Sequence, residues 1–215
     1  MRAGTVGAVT GIVVLAALAV GRAECPSGQL FVHHDGSFEN GFSWTYYSSG
    51  APYGCFGEGY DLGPGVINCA AYWIINGAGS WGGCLWDLYI WDGGITREPG
   101  YVIAAAPGVI FYNTPYWPYV GQNDHEMDVH VADEFTVGHF DTGQWDSYVY
   151  IAADCNGLGG HPWTCVPPGV DWPSGWQDPA LVWGTTRSLG IGVYFTPDAT
   201  PAEITTWGAV KSLFR

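Results

Sequence analysis

Along most of this chain, apolar and polar residues alternate over short stretches that glycine or proline then interrupts. That is the signature of half-buried strands separated by turns. The alternation predicts strands at 29–33, 42–47, 55–61, 66–75, 84–91 and 101–106, and again at 109–112, 125–131, 135–141, 148–153, 180–183 and 189–195. Segments such as Gly63-Pro64-Gly65, Asp92-Gly93-Gly94 and Pro167-Pro168-Gly169 read as turns or loops. Leu85, Asp87, Tyr89 and Trp91 fall on one face of their strand, with Trp86, Leu88 and Ile90 on the other. The first of these faces is expected to be a partly wet sheet surface carrying aromatic rings. Many short strands with few helix formers between them predict an all-β fold, an antiparallel β-sandwich of jelly-roll type.

The two ends of the chain depart from this pattern. Residues 1–23 place Arg2 before an apolar run from Val6 to Val20 and close on Gly21-Arg22-Ala23, the layout of a secretory signal peptide. The run of about fifteen residues is shorter than the roughly twenty that span a bilayer. The mature protein is therefore expected to begin near Glu24, to be secreted or held at the cell surface, and to carry no transmembrane segment. At the other end, residues 196–199 read as a linker. Thr200-Pro201-Ala202-Glu203 then supplies an N-cap, a first-turn proline and the closing acid of a capping box. Ile204, Trp207, Val210 and Phe214 recur at near-helical spacing, with Lys211 and Arg215 at the dipole-favoured end. The expected organisation is a signal peptide at 1–23, a sandwich at 24–195, and a linker with a short C-terminal helix at 196–215. That helix either docks on the sandwich or serves as a sorting or anchoring tail.

Charge narrows the partners. Signal removal takes away Arg2 and Arg22 but no acid, leaving Arg97, Arg187, Lys211 and Arg215 against twenty carboxylates. Nucleic acid and anionic membranes bind through basic patches, so neither is an expected partner. The six cysteines, Cys25, Cys55, Cys69, Cys84, Cys155 and Cys165, are expected to pair as disulfides in an oxidising compartment. Proximity favours Cys25–Cys55, Cys69–Cys84 and Cys155–Cys165, although sequence alone does not choose the connectivity. Their wide scatter, with no C-x-x-C pair, argues against zinc.

Three stretches resemble ligand sets. In Asp124-His125-Glu126-Met127-Asp128-Val129-His130, strand alternation puts Glu126, Asp128 and His130 on one face with Asp124, where they could hold a metal. The same alternation also describes any half-exposed strand. A tight hairpin at Asp133 would pair Val129 with Val137 and Met127 with His139, keeping His139 on the apolar side, away from His130. Asp154-Cys155-Asn156-Gly157 resembles the opening of a calcium loop, with Asp154 and Asn156 as oxygen ligands, although Asn-Gly is also simply a turn. In His33-His34-Asp35, neighbouring residues point to opposite faces of a strand and do not pair directly.

There is no G-x-S-x-G elbow, and nothing singles out a pair of carboxylates for glycoside hydrolysis. The aromatic supply is more informative, with twelve tryptophans in the chain. Trp117, Trp145, Trp163, Trp172 and Trp176 lie in Pro/Gly-rich stretches and are the expected ligand-binding rings. Flat rings beside polar groups hold sugars by stacking on their C–H faces.

Leu88-Tyr89-Ile90-Trp91-Asp92-Gly93-Gly94, followed by Glu98-Pro99-Gly100, resembles a pattern in accessory β-sandwich modules of bacterial secreted or cell-surface multidomain proteins. Trp183-Gly184 through Ser188-Leu189-Gly190-Ile191-Gly192-Val193-Tyr194-Phe195 resembles the closing strand of such a module. The resemblance covers about a third of the chain and implies a fold and a surface context, with no site residues to carry over. The leading expectation is a module that recognises glycan or another extracellular polymer through loop aromatics, with calcium as a possible structural ion. The alternatives are a self-associating subunit of a surface layer or filament, and a polysaccharide hydrolase using paired carboxylates.

Overall fold

The computed structural model describes Cys25 and residues 27–44, 54–77, 83–144 and 148–199. The expected signal peptide, the tail helix from Thr200 onward and Trp145 lie outside the described residues. The strands run, in chain order, β1 Gln29–Val32, β2 Asn40–Phe42, β3 Cys55–Tyr60, β4 Gly65–Asn76 and β5 Cys84–Asp92. They continue with β6 Val102–Phe111, β7 Gly121–Val131, β8 Phe135–Gln144, β9 Val149–Asp154, β10 Pro162–Val166 and β11 Gly175–Gln177. A short helix, α1 Pro179–Trp183, precedes β12 Ser188–Leu189 and β13 Ile191–Pro197.

The strands form two packed antiparallel sheets, an all-β sandwich. Sheet A has the order β1-β13-β4-β9-β12, with β7 on the free side of β4 and β2 on β9. Sheet B has the order β11-β10-β3-β8-β5-β6. Inward-facing Phe56, Ile67, Ile74, Leu88, Ile90, Phe135, Val137, Ile151, Val193 and Phe195 fill the space between them. Two buried tyrosines cross that layer in opposite directions. Tyr60 on β3 donates its hydroxyl to Ile191 O at 2.7 Å, and Tyr72 on β4 donates to Gly138 O at 3.0 Å. Burial pushes both phenols up, with the nearby Glu58 carboxylate adding to the effect at Tyr60, so they remain donors.

The alternation in β5 survives as read: Trp86, Leu88 and Ile90 are buried in the core, while Tyr89, Trp91 and Phe140 of β8 stack on the outer face of sheet B. Several other expectations are corrected. The β7–β8 hairpin does not form, because β7 pairs with β4 in sheet A and β8 pairs with β3 and β5 in sheet B. The turn at Asp133 carries the chain from one sheet to the other, and the apolar faces of the two strands meet across the core. Stretches 101–106 and 109–112 are one strand, β6, with Pro107-Gly108 as a bulge that Asp87 holds by accepting from Gly108 N at 2.7 Å. Residues 180–183 form α1, not a strand: Asp178 caps it by accepting from Ala180 N, and Pro179 fits the first turn. The strand expected from residue 42 instead ends there, as β2. The Pro/Gly stretches around Trp163 and Trp176 are not loops but the paired strands β10 and β11.

The cysteine pairing also differs. Cys25 bonds Cys69, not Cys55, on the outer face of sheet A, because β4 brings Cys69 beneath the chain that enters β1. That replaces both Cys25–Cys55 and Cys69–Cys84. Cys165 faces Cys55 across the β3–β10 ladder rather than Cys155, which follows β9 in the other sheet. Cys84 begins β5, buried opposite Phe111.

Candidate functional site

At the end of sheet A where β4, β9 and β2 meet, the chain leaves a shallow depression of about 200 Å³ lined by Glu39, Asn40, Gly41, Ile75, Gly77, Trp117 and Tyr150. Its floor is an ordinary product of strand alternation. Ile75 and Tyr150 are register partners on β4 and β9, and both point away from the core. The ring of Tyr150 lies against Gly77, where an added Cβ would stand 2.7 Å from Cε2, and the Tyr150 Cβ lies beside Gly41. Glycine at 77 is therefore what lets the ring come so close there.

The walls come from distant sequence. The loop that carries Trp117 is fastened to the end of β4 by Asn76 N donating to Pro115 O at 2.9 Å and Trp117 N donating to Asn76 O at 3.1 Å. The Trp117–Pro118 peptide is cis. Opposite, β2 places Glu39 and Asn40 by pairing with β9. The Glu39 carboxylate accepts from Cys155 N at 2.9 Å on one oxygen, and its other oxygen lies 3.0 Å from Ser37 Oγ, whose one proton is shared with Asp35 Oδ1 at 2.7 Å. Every oxygen keeps a lone pair for another donor. Trp117 is 40 % exposed, and Tyr116, Tyr119 and Tyr148 on the same end of the molecule are 57 %, 73 % and 45 % exposed. A cluster of wet aromatics this dense is unusual for a surface with no partner.

The other expected rings are placed differently. Trp163 and Trp176 project from the outer face of sheet B, half-buried, with ring centroids 6.5 Å apart and Trp176 edge-on to Trp91 at 5.1 Å. Trp163 also lines a second groove of about 410 Å³ with Gly159, Gly160, His161, Asp178, Thr186 and Arg187. Trp172 packs against the core and meets Trp44 edge-on at 6.4 Å. The structure therefore gathers neither Trp172 nor Trp176 with Trp117.

Asp154 is wholly buried, and its carboxylate organises its own loop. Oδ1 accepts from Asn156 N at 3.0 Å and Gly157 N at 2.6 Å, and Oδ2 accepts from Asp35 N at 3.0 Å. Asn156 itself is exposed. Glu126, Asp128 and His130 line up on the exposed outer face of β7, where His130 Nε2 pairs with Asp198 at 3.0 Å. Among the described residues, no group of three or more His, Cys, Asp or Glu is placed to hold a metal ion.

Sequence reading missed one arrangement. His33 Nδ1 meets Glu58 Oε1 at 2.8 Å, and the buried Glu58 also accepts from His161 N at 2.7 Å and Leu189 N at 2.8 Å. Gly160 passes so close over this pair that no Cβ fits there. The carboxylate thus ties three separate segments together and orients an imidazole that is 26 % exposed. His34 lies on the other side of β1's end, against Phe38 and Trp73, and its burial outweighs the pull of Asp154 and Asp35 to hold its imidazole below the usual range. No protein-family model matches the chain, and no curated protein or solved structure matches it.

Proposed function

We propose that this chain is an exported binding module that holds a glycan by stacking a sugar ring on Trp117 and Tyr150. The observation that carries the reading is the Trp117 depression itself: the exposed Trp117 ring and the half-buried Tyr150 ring, with a held carboxylate and an amide on the facing wall. A sugar laid on the rings buries its apolar C–H face, while Asn40 donates to one hydroxyl and Glu39 accepts from another. Glu39 is already oriented by Ser37 and Cys155, so little ordering cost is added on binding. An exported setting and the resemblance to accessory surface modules support the same reading. Among the described residues Glu39 is the one carboxylate lining the depression, which favours holding over hydrolysis by an acid pair.

The test is retention of the chain on a panel of insoluble polysaccharides and a glycan array, with calcium and with chelator, for the native chain and Trp117→Ala. Retention that Trp117→Ala abolishes supports the site, and loss of retention on chelation would add a calcium requirement. Retention unchanged by the substitution, or absent on every glycan, sinks it.

A second reading has its own observation. β6 is the outer strand of sheet B, ten residues long, apolar and mostly half-buried, with Tyr101 just before it 69 % accessible and Val102 at its start 48 % accessible. An edge of that kind is a template for pairing with another copy. Light scattering that shows concentration-dependent assembly, abolished by Val102→Lys, would favour the self-associating subunit.

A further inference from the structure

On the outer face of sheet B, register alone sets Trp176, Cys165, Cys55 and Phe140 in one row across β11, β10, β3 and β8. Cys165 stands directly opposite Cys55. Residues opposite one another in an antiparallel ladder have Cβ atoms roughly 4.5–5.5 Å apart, and a disulfide needs about 3.5–4.5 Å, so only a slight approach of the strands is required. Cys55 is fully buried, whereas Cys165 is only partly covered. We propose that Cys55 and Cys165 are a built disulfide-forming site, oxidised by a low-molecular-weight disulfide to a covalent lock between β3 and the edge hairpin β10–β11.

The two thiols are not equivalent, and the difference sets the order of events. A hydrogen bond with Cys55 lowers the Cys165 thiol below its usual range, while burial pushes Cys55 well above it. Cys165 therefore loses its proton first, and its thiolate attacks one sulfur of the external disulfide R–S–S–R. The S–S bond breaks, a mixed disulfide forms on Cys165, and one RS⁻ leaves and takes up a proton. Cys55 then gives up its proton, and its sulfur attacks Cys165 Sγ, expelling the second RS⁻. Overall, two protein thiols are oxidised and one external disulfide is reduced to two thiols.

The lock acts at a short pairing of the sheet. The hairpin joins the rest of sheet B through the short pairing of Pro162–Cys165 with Cys55–Glu58, yet it carries both Trp163 and Trp176. Closing the long loop between residues 55 and 165 raises the thermal midpoint by roughly 10 °C on the chain-entropy account. The proposal does not depend on glycan binding.

The test takes the full chain with Cys55 and Cys165 reduced, exposes it to oxidised glutathione, blocks remaining thiols, and maps cross-linked peptides by mass spectrometry without reduction. The expected result is a Cys55 peptide joined to a Cys165 peptide with the loss of two hydrogens, beside the Cys25–Cys69 link. The thermal gain on oxidation should vanish in Cys165→Ser, in which Cys55 stays unlinked. Cys55 recovered in its blocked form from the oxidised native chain, or Cys165 joined to Cys155, overturns the proposal.

Discussion

Gly77 shows how much of the candidate site depends on one missing side chain. An alanine methyl at 77 would meet the Tyr150 ring at 2.7 Å, so Gly77→Ala should displace the ring and weaken glycan retention about tenfold while the sheets stay intact. Titration of the native chain and the variant with a retained oligosaccharide checks this. His125 makes a second prediction at this scale. It packs on Phe111 at 4.4 Å, and burial lowers its imidazole from 6.5 to about 4. Between those values the unfolded chain binds more protons than the folded one. Stability is therefore present above pH ~6.5 and falls as pH drops toward 4, by at most roughly 3 kcal/mol from this group. The urea midpoint should fall between pH 7 and pH 4.5 by less in His125→Phe than in the native chain; an equal fall would contradict the assignment. Trp117 was legible from its proline-flanked setting. Tyr150 looked like any strand residue, and Glu39 and Asn40 gave no signal, because only the pairing of β2 with β9 brings them to the depression.

At the scale of elements, alternation and turn residues located most strands, since a half-buried sheet imposes its period locally. The errors arose where partners decided. The Asp154 carboxylate accepts from backbone amides of its own loop and of Asp35, and the long-range contact to Asp35 is one that no local pattern shows. β10 and β11 were hidden by Pro162, Pro173 and Gly175, residues tolerated there because the hairpin lies at a sheet edge. Asp178-Pro179 did carry a helix-start signal, but α1 is too short for periodicity to show. The tyrosine struts give the sharpest prediction here. Tyr60→Phe and Tyr72→Phe each remove a hydrogen bond between the sheets and should cost about 1–2 kcal/mol in urea unfolding. Trp172→Ala, which opens space beside Trp44, should likewise lower stability by about 2–4 kcal/mol, and should leave glycan binding unchanged.

Over the whole molecule, the sandwich separates its tasks by face and end. The core is apolar and spanned by tyrosines. The outer face of sheet B carries an aromatic layer over the Cys55–Cys165 pair. Wet aromatics collect where the loop through Trp117 meets the ends of β4 and β9. The fold class was readable because composition and period both point to strands. Which strands share a sheet was not, because the β7-to-β8 crossing and the Cys25–Cys69 bond depend on long-range contacts that no local pattern encodes. The claim that joins these levels is that the Trp117 depression holds sugar. It is tested most directly by calorimetric titration of a retained glycan into the native chain and Trp117→Ala, with the thermal midpoint of each as a control. The account predicts at least about a tenfold loss of affinity with no change in midpoint. Equal affinity in the two proteins would contradict it.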